Sequence, residues 1–284
     1  MYYKIAGYPF ALEVCSETLP ELAANLRAGL KVVLKTFQLG SEPVEPTAPH
    51  DLFFSASDVG RLQSSSGSCY HHLTIELFAP AQDIPFSVLL QDYESQIVNQ
   101  AVREADLHLW VHGACAYRDG EVIFLVAPSG TGKTTLSLGL TQYGYRLVTD
   151  DIIMYDLASR SYVPMPRSPK LGGDAAQYLV DVGLELPTQA TGVEPYVVLA
   201  DKYWQRTPIS DPPSRVYFMT RDANLPPGLA EVDISSALIA ILPQSNLVAI
   251  DPQLTMAVEF FASTRFMNLN LSYYPDDLRL IAQA

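Results

Sequence analysis

The sequence predicts an α/β fold with a strand–loop–helix unit at its centre and a small α+β domain ahead of it. Three observations carry that expectation. An apolar run at 122–126 reads as a strand, the loop Ala127-Pro128-Ser129-Gly130-Thr131-Gly132-Lys133-Thr134 follows it, and 134–140 reads as a helix. A second short strand-like run, Arg146-Leu147-Val148-Thr149, then ends in Asp150-Asp151. Residues 1–90 differ in texture, with alternating strand-like runs and one helix-like run.

From the N-terminus, 3–14, 30–37 and 70–78 are strand-like and 19–26 is helix-like. The Pro- and Ser-rich stretch at 40–67 reads as loops. In 70–78, Leu73, Ile75 and Leu77 share one face while Thr74, Glu76 and Phe78 share the other, the period of a half-buried strand. Residues 87–106 carry Leu90, Tyr93, Ile97, Val98 and Val102 at helical spacing. This helix is expected to join a domain at 1–90 to a second, nucleotide-binding domain at 91–284. Arg118-Asp119-Gly120 is a hairpin turn ahead of the central strand. Beyond the aspartates, strands are expected at 196–199 and 216–220, and helices at 234–242 and 252–263. The Pro-, Asp- and Ser-rich segment 201–214 reads as a surface loop, a place for a lid or an acceptor platform.

Composition removes several classes of function. The 284 residues are 48% hydrophobic and only 17% charged, which describes a chain able to bury a core. A net charge of −13 argues against nucleic acid or an anionic membrane as partner, since both need a basic footprint. No apolar run is long enough to span a bilayer, and the N-terminus reads as a strand with no signal-peptide pattern, so a cytoplasmic protein is expected. Cys15, Cys69 and Cys115 are widely spaced and are expected to be reduced thiols. His71-His72 cannot share a metal from opposite faces of a strand, and no zinc site is expected.

The loop has the form [A/G]-x4-G-K-[S/T], and its setting between a strand and a helix gives that form meaning. Bound phosphates need many donors in a small space. Gly130 and Gly132 allow the backbone to turn its N–H groups inward at a helix N-terminus. Ser129, Gly130, Thr131, Gly132, Lys133, Thr134 and Thr135 are therefore the expected nucleotide-binding residues. Lys133 would reach the β- and γ-phosphates, and the Thr134 hydroxyl would hold Mg2+.

Asp150 and Asp151 repel one another unless a cation lies between them. The intervening helix is short, so the second strand is expected to return immediately beside the phosphate loop. One carboxylate would then bind the metal while its neighbour accepts a proton from an incoming hydroxyl, whereas a nucleotide switch needs only the first role. The side chains would point to opposite faces if the strand persisted.

His112-Gly113, the phosphate loop and Gly144-Tyr145-Arg146-Leu147-Val148-Thr149-Asp150-Asp151 resemble, in order and spacing, the catalytic core of the bacterial HPr kinase/phosphorylase superfamily. The close match covers residues 112–151. A looser similarity, to HPr-kinase-related proteins found beside ribosomal-peptide clusters such as those of lasso peptides, extends over most of the chain. It includes Pro164-Met165-Pro166-Arg167-Ser168-Pro169-Lys170-Leu171. The resemblance implies a P-loop kinase core of the HPr kinase/phosphoenolpyruvate carboxykinase type, using ATP and Mg2+. It makes Asp150 the general base, Asp151 a metal or orienting partner with Thr134, and His112 a supporting or proton-handling group. The two Asp roles are exchangeable.

Two departures matter. Ala127 stands where those enzymes carry glycine, and no counterpart of their Glu-x-Arg-Gly segment follows the aspartates. HPr itself and the reverse phosphorylase reaction are therefore not expected here. Arg167 and Lys170 are the nearest cations for a transferring phosphoryl group, if they are not a solvated pair on a surface loop; Arg206, Arg215 and Arg221 come later. The expected function is a kinase acting on a hydroxyl, a serine of a peptide or protein or a small molecule such as free serine. The alternative is a nucleotide-dependent switch, although the chain has neither an Asn-Lys-x-Asp guanine motif nor an ABC-type signature. The resemblance also makes a homo-oligomer possible.

Overall fold

A computed structural model of the chain describes residues 2–5, 8–37, 51–57, 59–66, 71–104, 108–186, 196–272 and 274–283. The chain divides into two compact units, 1–106 with 188–198, and 107–187 with 199–284.

The first unit is a five-stranded sheet with two helices. Its strands are β1 (Tyr2–Ile5), β2 (Tyr8–Cys15), β3 (Asp51–Ser57), β4 (Gly60–Ser66) and β5 (His71–Leu77), in the order β1-β2-β5-β4-β3. Only β2 and β5 run parallel. The helices are α1 (Pro20–Val33) and α2 (Phe86–Glu104). The strand expected at 30–37 is instead the end of α1 and a short 3-10 turn, Lys35–Phe37. Ala23, Leu26, Leu30 and Val33 are all buried at helical spacing, so burial of one helix face outweighs the strand preference of the valines. Of the loop expected at 40–67, residues 40–50, 58 and 67 lie outside the described residues. The rest is β3 and β4; β4, polar in sequence, is drawn into the sheet by pairing with β5 on one side and β3 on the other. Cys69 also lies outside the described residues; Cys15 and Cys115 are free thiols.

The second unit holds two sheets. One has three strands in the order β11-β10-β6, from β6 (His108–His112), β10 (Ile152–Asp156) and β11 (Ser161–Tyr162). The other has six: β7 (Ala114–Arg118), β8 (Glu121–Val126), β9 (Arg146–Thr149), β12 (Arg215–Thr220), β13 (Gly228–Val232) and β14 (Arg265–Asn270). Their order is β13-β14-β12-β8-β7-β9, with β8, β12 and β14 parallel. The helices are α3 (Lys133–Leu140), α4 (Gly173–Asp181), α5 (Ile234–Ile241), α6 (Leu247–Ile250), α7 (Thr255–Phe260) and α8 (Tyr274–Gln283). Residues 122–126 of β8 are buried without a break, as a central strand covered on both faces requires. On one side lies a core of Phe124, Val148, Ile153, Val216, Ile241 and Phe261. On the other, α8 packs against α3 so closely that a Cβ on Gly139 would meet the Leu278 side chain at 2.5 Å. The Asp119-Gly120 turn between β7 and β8 has both residues in the left-handed region, φ 49° and 87°, as a two-residue hairpin demands.

Several expectations need correction. β9 does not lie beside β8: β7 stands between them, antiparallel to both. Residues 196–199 form no strand; Tyr196 makes a lone bridge. The helix expected at 252–263 is the shorter α7, which starts only after Leu254 adopts a left-handed φ of 56°. The segment 201–214 is a loop, but one with Tyr203, Trp204, Gln205 and Ile209 buried. The Gln205 N–H donates to the Leu147 carbonyl at 2.8 Å, so the segment is fastened to the outer edge of β9.

Two chain crossings set up the site. The chain passes from the three-stranded sheet to the six-stranded one at Gly113, between β6 and β7, and returns at Asp150-Asp151, between β9 and β10. The crossings are side by side: His112 is paired with Ile152, Cys115 with Thr149, and the Gly113 N–H donates to the Asp151 carbonyl at 2.9 Å. A Cβ on Gly113 would lie 2.8 Å from the Leu125 carbonyl oxygen, a backbone atom that cannot swing away. Gly113→Ala is therefore expected to cost about 1–3 kcal/mol, read as a lower melting temperature. An unchanged melting temperature would contradict this packing argument.

Candidate functional site

All the groups described below belong to the second unit. The loop after β8 turns on two glycines in the left-handed region, Gly130 at φ 80° and Gly132 at φ 116°, a conformation that side chains with a Cβ resist. No atom lies within 4 Å of the position a Gly130 Cβ would take, so the space over the turn is open. The Thr131 hydroxyl donates to the Pro128 carbonyl at 2.9 Å and closes the turn. Ser129 is exposed, while Thr135 is buried.

Lys133 opens α3 and folds back beneath the loop. Its ammonium donates to the carbonyls of Ala127 at 2.7 Å and Pro128 at 3.2 Å, and lies 3.2 Å from His112 Nε2. At 7% exposure, burial lowers its pKa, opposed by the charges of Asp151 and Asp150. His112, at the end of β6, is held below its ordinary pKa by burial and by Lys133. Both effects favour the neutral ring, against the pull of the Asp151 charge. With Nε2 accepting from Lys133, its proton sits on Nδ1, the nitrogen 3.5 Å from Asp151 Oδ1.

The two aspartates have separate surroundings. β9 ends at Thr149, so strand alternation does not govern them, and both sit in bends. Asp150 is 6% exposed and turned toward α3. It accepts from the Thr134 hydroxyl at 2.9 Å and the Ser137 hydroxyl at 3.1 Å. Burial, with help from the Asp151 charge, pushes its carboxyl up to about 7, against the pull of those hydroxyls and of Arg167. Asp151 is more open, its side chain 39% exposed. It pairs with Arg167 through one oxygen and faces His112 with the other.

Arg167 is not on a solvated loop. Met165 forms a parallel bridge with Thr149, and its N–H donates to the Val148 carbonyl at 2.8 Å, so the proline-rich segment runs along the outer edge of β9. Residues 165–169 are buried, and Arg167 is delivered directly to Asp151. Lys170 is half-buried. Arg206 pairs with Asp201 at 2.5 Å. Arg215 pairs with Glu121 at the start of β8, the end remote from the glycine loop. Arg221 follows the other end of β12, on the sheet edge where the loop lies. His108 occupies the far end of β6 from His112. Sequence reasoning missed Ser137, although its position one turn after Thr134 on α3 places both hydroxyls on one helix face.

The donors fit a hard divalent cation. A hydroxyl and a buried carboxylate face each other, and that carboxylate is held partly neutral where a cation would ionise it. Among the described residues no group of three His, Cys, Asp or Glu could hold a metal by itself. The complement would come from phosphate oxygens and water, the usual shell of Mg2+ in nucleotide sites.

Fold and site together define a mixed α/β protein in which a glycine loop, a buried lysine and two unlike carboxylates converge at one sheet edge. No protein-family model and no curated protein matches this sequence. Among solved structures it is similar to the HPr(Ser) kinase/phosphatase from Coxiella burnetii, at 13% identity and a TM-score of 0.29, over 61% of this chain and 91% of that one. Likeness at that level transfers no chemistry from one protein to the other. No described helix is long and apolar enough to cross a membrane.

Proposed function

We propose that the protein is an ATP- and Mg2+-dependent kinase that transfers the γ-phosphoryl group to a hydroxyl, a serine of a peptide or protein or a small molecule such as free serine. One observation carries this reading. Adjacent carboxylates have been given unlike environments, Asp150 against Thr134 and Asp151 beside His112 and Arg167. Two acidic groups set apart in this way serve two roles.

The environments favour the exchanged assignment of those roles. Asp150, bonded to the Thr134 hydroxyl, stands where the metal is needed. Asp151, the more open carboxylate, is the base. A bound Mg2+ would supply Lewis-acid neutralisation of charge on the β- and γ-phosphates. Lys133 holds the same phosphates from beneath the loop. The acceptor oxygen attacks the γ-phosphorus as the bond to the β–γ bridging oxygen breaks; the proton passes to Asp151, and the leaving nucleoside diphosphate takes the bonding pair. Because such transfers are loose, the base needs only to orient the hydroxyl and collect its proton late. His112 turns its Nδ1 side toward Asp151 Oδ1 at 3.5 Å, where the ring dipole favours the ionised base. Arg167 lies where it can shift from Asp151 toward charge developing on the equatorial oxygens. This chemistry belongs in the cytoplasm, where ATP and reduced thiols coexist.

The test separates binding from transfer. Calorimetry should show ATP binding that depends on Mg2+, and γ-labelled ATP should then label serine or a serine-bearing peptide. Mg2+-dependent binding with no label in any hydroxyl acceptor would favour a nucleotide switch.

The raised Asp150 carboxyl gives a pH signature. Its folded pKa of about 7 lies above the ordinary 3.8, so its protonated form stabilises the fold. That contribution is complete below about pH 4 and is lost as pH rises through about 7. The metal-free melting temperature is expected to fall between about pH 4 and pH 7, and to fall less with saturating Mg2+. An identical slope in Asp150→Asn would contradict the assignment.

A further inference from the structure

We propose that the loop at 221–227 is the subsite for the nucleoside end of the nucleotide whose phosphates occupy the loop at 127–134. The inference rests on the kinase reading above and extends it to base recognition.

The parallel strands β8, β12 and β14 end at one sheet edge, and ligands of such strands collect outside their carboxyl ends. Phe218 stands opposite Val126 in the β12–β8 ladder. Val126 and Phe218 are thus about 4.8 Å apart. The chain after Val126 enters the loop at 127–134, while β12 runs two residues further before 221–227 carries the chain past the end of β14 to β13. Asn270, the last residue of β14, is 7% exposed and commits its whole amide to that second loop. Its Nδ2 donates to the carbonyls of Leu225 at 2.8 Å, Asp222 at 3.0 Å and Pro226 at 3.3 Å. Its Oδ1 accepts from the Asp222 N–H at 2.9 Å and the Thr220 hydroxyl at 3.3 Å.

Residues 221–227 are all exposed, so this network fixes the loop's shape without burying it. Held in water on the fixed loop is Leu225, 53% exposed, with the Arg221 guanidinium at the loop's start. An apolar side chain kept in solvent by a rigid turn is stabilised when an apolar ligand face covers it. A nucleobase has such a face, and a guanidinium stacks on it. A polyphosphate has neither feature.

The experiment compares Mg2+-ATP with Mg2+-tripolyphosphate on the full chain, by calorimetry. Leu225→Glu and Leu225→Ser are each expected to weaken ATP about tenfold, leave tripolyphosphate within about twofold, and be rescued by Leu225→Phe. Both substitutions are at an exposed side chain, so folding is not at risk. Equal ATP affinity in all variants, equal losses for both ligands, or a change confined to the acceptor's KM would overturn the proposal while leaving the phosphate site standing. Wild-type protein that binds tripolyphosphate as tightly as ATP would also overturn it. If the wild type binds neither ligand, the kinase reading fails and this subsite with it.

Discussion

Lys133→Ala is expected to lower phosphoryl transfer by about two to three orders of magnitude and to weaken MgATP binding. The ammonium is 7% exposed, so its attraction to phosphate acts where water screens it little. It is also held in place before any ligand arrives, by the carbonyls of Ala127 and Pro128 and by His112. Alanine removes the charge and leaves those two carbonyls without this donor, so part of the loss will be loop geometry. Lys133→Arg separates the effects: it keeps the charge, but its forked head does not match two carbonyls that receive a compact ammonium. Both variants are expected to bind poorly, Arg less so. Activity within about tenfold of wild type in Lys133→Ala, with the fold intact by circular dichroism, would contradict the placement of the phosphates.

Asp151→Asn should lower kcat by about two to four orders of magnitude with little change in ATP affinity. Asparagine keeps the size of the side chain and an oxygen to accept from Arg167, so the loss reports proton acceptance and charge more than shape. Asp150→Asn should act differently. It removes the charge next to the Thr134 hydroxyl and should raise the Mg2+ concentration needed for half-maximal rate. If Asp150→Asn instead abolished kcat with an unchanged Mg2+ requirement, the two roles would run the other way, as the family resemblance has them.

What could be read from the sequence follows a physical divide. The strand into the glycine loop, the helix out of it and the Asp119-Gly120 turn are local features: a run buried on both faces, glycines with positive φ, and a two-residue hairpin. The order of strands in the sheet is not local. That β7 separates β8 from β9 depends on pairings distant in sequence, and no periodicity in β9 reveals it. The aspartates show the same limit. Their spacing from Lys133 was legible, but their divergence comes from β9 stopping at Thr149 where the chain changes sheets. Arg167 stood in a proline-rich segment that composition makes a surface loop. Met165 instead fastens the segment to the edge of β9, and residues 165–169 are buried. In α1, burial of a helical stripe decided against valines that favour a strand.

The central claim is that this site moves a phosphoryl group to a hydroxyl with Asp151 as base. Its most direct test is label transfer from γ-labelled ATP to free serine and serine-bearing peptides, with wild type and Asp151→Asn side by side under saturating Mg2+. The account predicts labelled acceptor with the wild type and almost none with Asp151→Asn, while both bind ATP equally well. Equal labelling by the two proteins would contradict it.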